Sequence, residues 1–284
     1  MRPKQWTKNV FIFVAIVFDR QLTHKDALLT CLAGFLIFCI LSSSVYIIND
    51  IADVEADRAH PKKKDRPIAS GKLSIPVATG VAIAFLLITI PSAFMLSTGF
   101  GFISSTFFLV NLAYSKWLKH IPLIDVMVIA ADFLLRVAAG VTLIQVERFS
   151  PWLYVVTTLL ALYIGFGKRR AELMLLTSNA DKHRRVLDGY SIPFLDQLIT
   201  IVSSATIISY SFYSFSAPNL PANHTMMLTI PFVVYGIFRW LYLIQIKKEG
   251  GAPEELVLSD RPLQITVVLY GLAVIAVFYI FYNL

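Results

Sequence analysis

The chain has 284 residues, 57% of them hydrophobic and 15% charged, with a formal net charge of +7 and a mean hydropathy of +0.69. About a quarter of a soluble domain is charged, so a water-soluble globule is excluded, and the wealth of Leu, Ile, Val and Phe excludes a disordered chain. Two cysteines exclude a disulfide-built scaffold, which leaves an all-α integral membrane protein with room for roughly eight to ten spans.

Nine apolar segments are predicted as membrane helices, at about 9–18, 27–49, 75–97, 99–118, 122–145, 150–167, 194–216, 226–246 and 262–283. The first is short for a full span. No small-residue cleavage site follows it, so no cleavable signal peptide is expected. No polar stretch is long enough for a soluble domain, so residues 1–284 are expected to form one transmembrane bundle in which every backbone group is satisfied. Basic residues gather in the N-terminal segment (Arg2, Lys4, Lys8) and after the second, fourth, sixth and eighth segments, whereas the opposite loops hold only Arg20, Lys25 and Arg148. By the positive-inside rule the basic face is cytoplasmic. The N-terminus is then inside, the C-terminus outside, and the protein multi-pass in the cell's inner or plasma membrane. Most carboxylates share this face, among them Asp50, Asp53, Asp57, Glu172 and Asp181. Acids and bases clustered at the mouth of a helical bundle point to metal and phosphate.

The second segment runs out into Asn49-Asp50-Ile51-Ala52-Asp53-Val54-Glu55-Ala56-Asp57. On a continuous helix at about 100° per residue, Asp50, Asp53 and Asp57 fall within an arc of roughly 60°, with Asn49 at its border. Three crowded carboxylates repel one another unless a cation intervenes. Mg²⁺ takes oxygen ligands and is commonly shared between carboxylates and substrate phosphates. Charge leaving a lipid-spanning helix in this way is costly without a purpose. Arg58 and the run Lys62-Lys63-Lys64-Asp65-Arg66-Pro67-Ile68-Ala69-Ser70-Gly71 follow. Such a loop suits the outer oxygens of a metal-bound diphosphate.

An Asn-Asp-x-x-Asp-x-x-x-Asp motif leaving a membrane helix, followed by Asp-Arg-Pro-Ile-x-x-Gly, resembles the UbiA superfamily of intramembrane prenyltransferases. The resemblance implies a nine-helix bundle with a cytoplasmic active-site mouth, and Mg²⁺ on Asp50, Asp53 and Asp57. Most members carry a second acidic motif, Asp-x-x-x-Asp, after the sixth span. This chain departs from it, reading Gly167-Lys168-Arg169-Arg170-Ala171-Glu172-Leu173 and then His183-Arg184-Arg185-Val186-Leu187-Asp188-Gly189-Tyr190. Fewer carboxylates and more fixed positive charge suit a substrate with an additional phosphate.

Together with the opening Arg2-Pro3-Lys4-Gln5-Trp6-Thr7-Lys8-Asn9, these segments resemble the decaprenyl-phosphate phosphoribosyltransferase branch of that superfamily. The resemblance implies transfer of 5-phosphoribose from phosphoribosyl diphosphate (PRPP) to a polyprenyl phosphate. Substrate contacts are then expected from Asn49, Arg58, Arg66, Lys168, Arg169, Arg170, Glu172, Arg184 and Tyr190, with Lys4, Lys8, Arg66, Lys119 and Arg184 as cations for the lipid phosphate. The runner-up is an enzyme of the same superfamily that joins a prenyl diphosphate to an aromatic or lipid acceptor, which the missing second acidic motif argues against. A transporter would show inverted repeats, broken helices or midplane charges; no convincing repeat is seen, and the charges gather mainly at one face. No soluble basic surface exists for nucleic acid. A homo-oligomer is compatible with the sequence, which sets no subunit number.

Inside the fifth segment, Asp132 and Arg136 stand one turn apart and are expected to neutralise each other. Asp125 is balanced between site and surface. Arg239 is expected to snorkel to the interface. Cys31 and Cys39 read as small buried hydrophobes.

Overall fold

The computed structural model describes residues 3–59, 63–144, 146, 150–176, 185–218, 220–248, 250–251 and 253–281. After a 3₁₀ segment, Pro3–Phe13, come α1 (Val14–Phe18), α2 (Lys25–Ala52), α3 (Val54–Ala59), α4 (Ile75–Leu96), α5 (Thr98–Lys116) and α6 (Ile124–Leu143). Then follow α7 (Pro151–Leu176), α8 (Ile192–Ser216), α9 (Ile230–Gln245), α10 (Pro253–Ser259) and α11 (Arg261–Tyr279). All nine predicted segments fall on helical stretches. Among the described residues six are long and apolar enough to cross a bilayer: Lys25–Ala52, Ile75–Leu96, Ile124–Leu143, Ile192–Ser216, Thr225–Gln245 and Arg261–Tyr279. The stretch Gln5–Phe18 is apolar but short. Helices α5 and α7 have the length but more polar character; α5 turns Ser104, Asn111 and Ser115 inward.

Helix α4 shows the solvent these helices are made for. Its buried residues are Ala78, Ala82, Thr89 and Ala93, whereas Val77, Ile83, Leu87, Ile88 and Met95 are exposed. Small residues let backbones approach, and large apolar ones face the lipid. In water the pattern would be reversed.

The chain forms two compact units. The first comprises Met1–Ile16, Gln21–Lys119 and Leu135–Gln145; the second comprises Val17–Arg20, His120–Leu134 and Val146–Leu284. In the first unit α2 packs on α4 and α5, and the 3₁₀ segment lies along α2. A 3₁₀ run of 11 residues is unusual, since these helices rarely exceed three or four. Side-chain ties hold it: Trp6 Nε1 donates to Ser43 Oγ at 3.1 Å and Asn9 Nδ2 to Cys39 Sγ at 3.3 Å. Asn9 Oδ1 accepts from Arg136 Nε at 3.0 Å, and the Arg136 guanidinium lies 4.8 Å from the Phe107 ring. The intramembrane arginine therefore anchors the N-terminal segment, a role its spacing from Asp132 does not reveal.

In the second unit α7 pairs with α8, and α9 packs on α8 and α11. Tyr163, Phe166, Leu195, Ile199 and Trp240 form its core. Arg239 binds Asp260 with both forks, at 2.7 and 3.1 Å. Asp260 also caps α11, accepting from Leu263 N at 2.9 Å. Asp260→Ala is expected to cost about 1–2 kcal/mol, the loss of a cap and a partly buried pair. The Arg239 hydrogen bond holds the Asp260 carboxyl below its usual range. A lowered folded-state value stabilises the fold above the ordinary aspartate value and fades as pH falls through the lowered one. The difference in Tm between wild type and variant in detergent should therefore be full at neutral pH and shrink only below about pH 3.9.

Candidate active site

Helix α2 ends at Ala52. Asp53 is its C-cap, at φ −100° and ψ 13°, and α3 restarts at Val54. The acidic segment is thus bent, where the sequence predicts one continuous helix. Aspartate is a weak helix former, and a carboxylate near a helix C-terminus opposes the dipole. Asp53 N closes the last turn of α2 on Asn49 O at 3.0 Å, and Asp57 N opens the next turn on Asp53 O at 2.8 Å.

The following basic segment folds back because Ile68 and Ala69 are buried, Ile68 against Ile47, Ala78 and Ala82. Gly71, at φ +78°, makes the turn that a side chain would resist. This places Arg66 Nη1 on Asp50 Oδ1 at 3.2 Å and on Asp57 Oδ2 at 2.5 Å. One guanidinium nitrogen thus gathers two of the three predicted carboxylates. The third, Asp53, accepts from Lys119 Nζ at 2.6 Å. Arg58 is exposed, bonding Glu55 and the Ala69 carbonyl. Asn49 Oδ1 is buried with no hydrogen-bond partner, a costly state for an amide oxygen.

The donor set suits a divalent ion. Asp50 and Asp57 converge, Asp53 is on the same stretch, and the Asn49 amide oxygen has no partner. All are hard oxygen donors, the kind Mg²⁺ prefers. Among the described residues no three His, Cys, Asp or Glu groups already stand close enough to hold an ion together, and Arg66 and Lys119 have the carboxylates as counter-ions. Binding an ion there requires these two cations to move onto something else that is anionic, and a diphosphate is such a group.

In the second unit the bases of α7 are largely matched by acids. Arg169, 1% exposed, donates from Nε to Asp125 Oδ2 and from Nη1 to Glu172 Oε2, both at 2.6 Å. Asp125 is fully buried in the first turn of α6, where the helix dipole favours an anion. Arg170 Nε donates to Asp196 Oδ1 at 2.6 Å, and its Nη1 to the Ile244 carbonyl at 3.2 Å. Lys168 is half-buried. Tyr190 is buried, donating to Asp125 Oδ1 at 2.7 Å and accepting from Leu123 N at 2.6 Å. The expected surplus of positive charge is therefore smaller than the sequence implies, because Asp125 and Asp196 lie far from α7 in the chain. The signal that could have found Asp125 is an acid in the first turn of a helix, but that pattern is common.

Lys8 is half-buried on the N-terminal segment. Arg184, with Asp181, Lys182 and His183, lies outside the described residues, as does the side chain of Lys4.

Known proteins match this pattern. The family model of the UbiA prenyltransferase family matches residues 10–168. The chain is 30% identical to a decaprenyl-phosphate phosphoribosyltransferase of Corynebacterium glutamicum, over 99% of its own length and 86% of the relative's. It is 29% identical to a protein of the same name from Mycobacterium tuberculosis, over 93% of its length and 88% of the relative's. The structure of a UbiA homolog from Archaeoglobus fulgidus bound to DMAPP and Mg²⁺ has a TM-score of 0.76 to this one at 19% identity, over 98% of this chain and 97% of that one, a likeness of fold. Acid motif, helical architecture and matched length agree: the chain belongs to the UbiA prenyltransferase family.

Proposed function

We propose that the chain transfers 5-phosphoribose from PRPP to a polyprenyl (decaprenyl) phosphate, releasing diphosphate and forming polyprenylphosphoryl-5-phosphoribose. The observation that carries this reading is that the spaced acidic motif stands in the sequence after the second apolar segment and is not repeated after the sixth. Asp50, Asp53 and Asp57 follow one another from α2 through its C-cap into α3, whereas α7 carries Lys168 where a second acidic motif would serve a prenyl diphosphate, its Arg169 and Arg170 being paired within the protein. The whole-length similarity to relatives named for this reaction supports it.

In this reading Asp50, Asp53 and Asp57, with the Asn49 amide oxygen, hold Mg²⁺. A divalent ion held there supplies neutralisation of the charge that grows on the departing diphosphate. Arg66 and Lys119 turn from the carboxylates to the diphosphate oxygens. The C1–O bond to diphosphate breaks and an oxygen of the lipid phosphate bonds to C1, with inversion. The lipid phosphate is already ionised, so no general base is needed. Lys168 holds the 5-phosphate. Arg58, Lys4, Lys8 and Arg184 are assigned to phosphate oxygens on their charge and sequence position. The reading includes nine spans with the basic face toward the cytoplasm, where a soluble donor and a membrane-borne acceptor can both reach it.

The test is an extraction assay on purified protein in detergent with Mg²⁺. One tube holds sugar-labelled PRPP and decaprenyl phosphate, and a parallel tube holds a labelled prenyl diphosphate and an aromatic acid. Label entering the organic phase in the first tube, and abolished by EDTA, is the expected result. Product only in the second tube would refute the reading in favour of a prenyltransferase in the narrower sense.

A further inference from the structure

Leu123 has φ +68°, a left-handed conformation that a residue with a Cβ adopts only at a cost. Such strain persists only where the surroundings over-determine it, and here they can be named. The Leu123 N–H donates to the Tyr190 hydroxyl at 2.6 Å, and that hydroxyl donates to Asp125 Oδ1 at 2.7 Å. Asp125 Oδ2 accepts from Arg169 Nε at 2.6 Å, and Arg169 Nη1 reaches Glu172. Burial and the neighbouring Asp125 push the Tyr190 hydroxyl well above its ordinary value, so it remains a donor. Beside it Gly189 packs against Pro122 so closely that a Cβ would strike the proline ring. The chain before α6, the end of α7 and the residues before α8 thus meet in one buried hydrogen-bonded clamp.

Resting on the function proposed above, we infer that Tyr190, Asp125 and Arg169 are positioning residues rather than phosphate ligands. They hold the end of α7 in the orientation in which Lys168, the residue next to Arg169, meets the 5-phosphate of the donor. The groups of Arg169 and Tyr190 that could have bound phosphate are spent inside the protein. Lys168 is left to make the contact.

Tyr190→Phe removes a single oxygen and is the test. Expected is a rise of about tenfold in KM for PRPP with kcat within twofold, the signature of lost uniform binding. The KM for decaprenyl phosphate and inhibition by Mg²⁺-diphosphate, which lacks the 5-phosphate, should stay within twofold. Amide hydrogen exchange at Leu123 should accelerate. Glycine adopts positive φ freely, so adding Leu123→Gly should restore the KM for PRPP to within about threefold of wild type. An unchanged KM for PRPP in Tyr190→Phe would overturn the inference. So would a parallel worsening of all three binding measures with a fall in Tm, or failure of Leu123→Gly to restore. A wild-type protein inactive with PRPP would overturn the inference together with the proposed function, whereas an active wild type with an indifferent Tyr190→Phe overturns the inference alone.

Discussion

Asp50→Ala or Asp53→Ala should lower turnover at least about a hundredfold to a thousandfold, the scale of losing one preorganised charge-stabilising group at a reacting centre. The protein should remain folded. The Asp53 side chain is 43% exposed, so the loss of this partly solvated pair costs the fold little. Asp50 shares Arg66 with Asp57, so its loss leaves that guanidinium a partner. Raising Mg²⁺ should recover part of the lost rate, since a weakened site fills at higher concentration. Turnover near wild type in either variant would remove the metal assignment. Asp57→Ala should behave differently. Asp57 is 3% exposed and its removal weakens the hold on Arg66, so activity and thermal stability should fall together.

Arg169→Met should give the largest loss of stability. It leaves the Asp125 carboxylate, fully buried, without its cation, and breaking a buried pair by removing one partner typically costs about 3–5 kcal/mol. Replacing both members by apolar residues removes the stranded charge. Arg169→Met with Asp125→Leu should therefore be more stable than Arg169→Met alone, a coupling that a double-mutant cycle measures. Thermal unfolding in detergent reads both variants. If the double variant were no better than the single, the pair would not be the source of the cost.

The parts of the molecule legible in the sequence are those encoded by local pattern. The acid motif and the Arg66 segment are within one short stretch, and nine apolar runs mark nine helical stretches because hydrophobic length is a strong signal. What the sequence hides are partnerships made by packing. Arg169 and Asp125 are 44 residues apart, and Arg136 and Asn9 are 127 apart. Read along one helix, Arg136 gives no sign of Asn9, and the bases after Gly167 look like uncompensated charge. The bend at Asp53 escapes as well, since a periodicity argument assumes an unbroken helix and only the cap geometry reveals the break.

In the proposed reaction the diphosphate held at Asp50, Asp53 and Asp57 is that of the sugar donor. The most direct measurement uses PRPP labelled either in its 5-phosphate or in the β-phosphate of its diphosphate, with decaprenyl phosphate and Mg²⁺. The 5-phosphate label should move into the lipid, and the β-phosphate label should appear as inorganic diphosphate in the aqueous phase. A β-phosphate label in the lipid, or lipid product formed only when a prenyl diphosphate is supplied, would show that the diphosphate at these aspartates is not the sugar donor's.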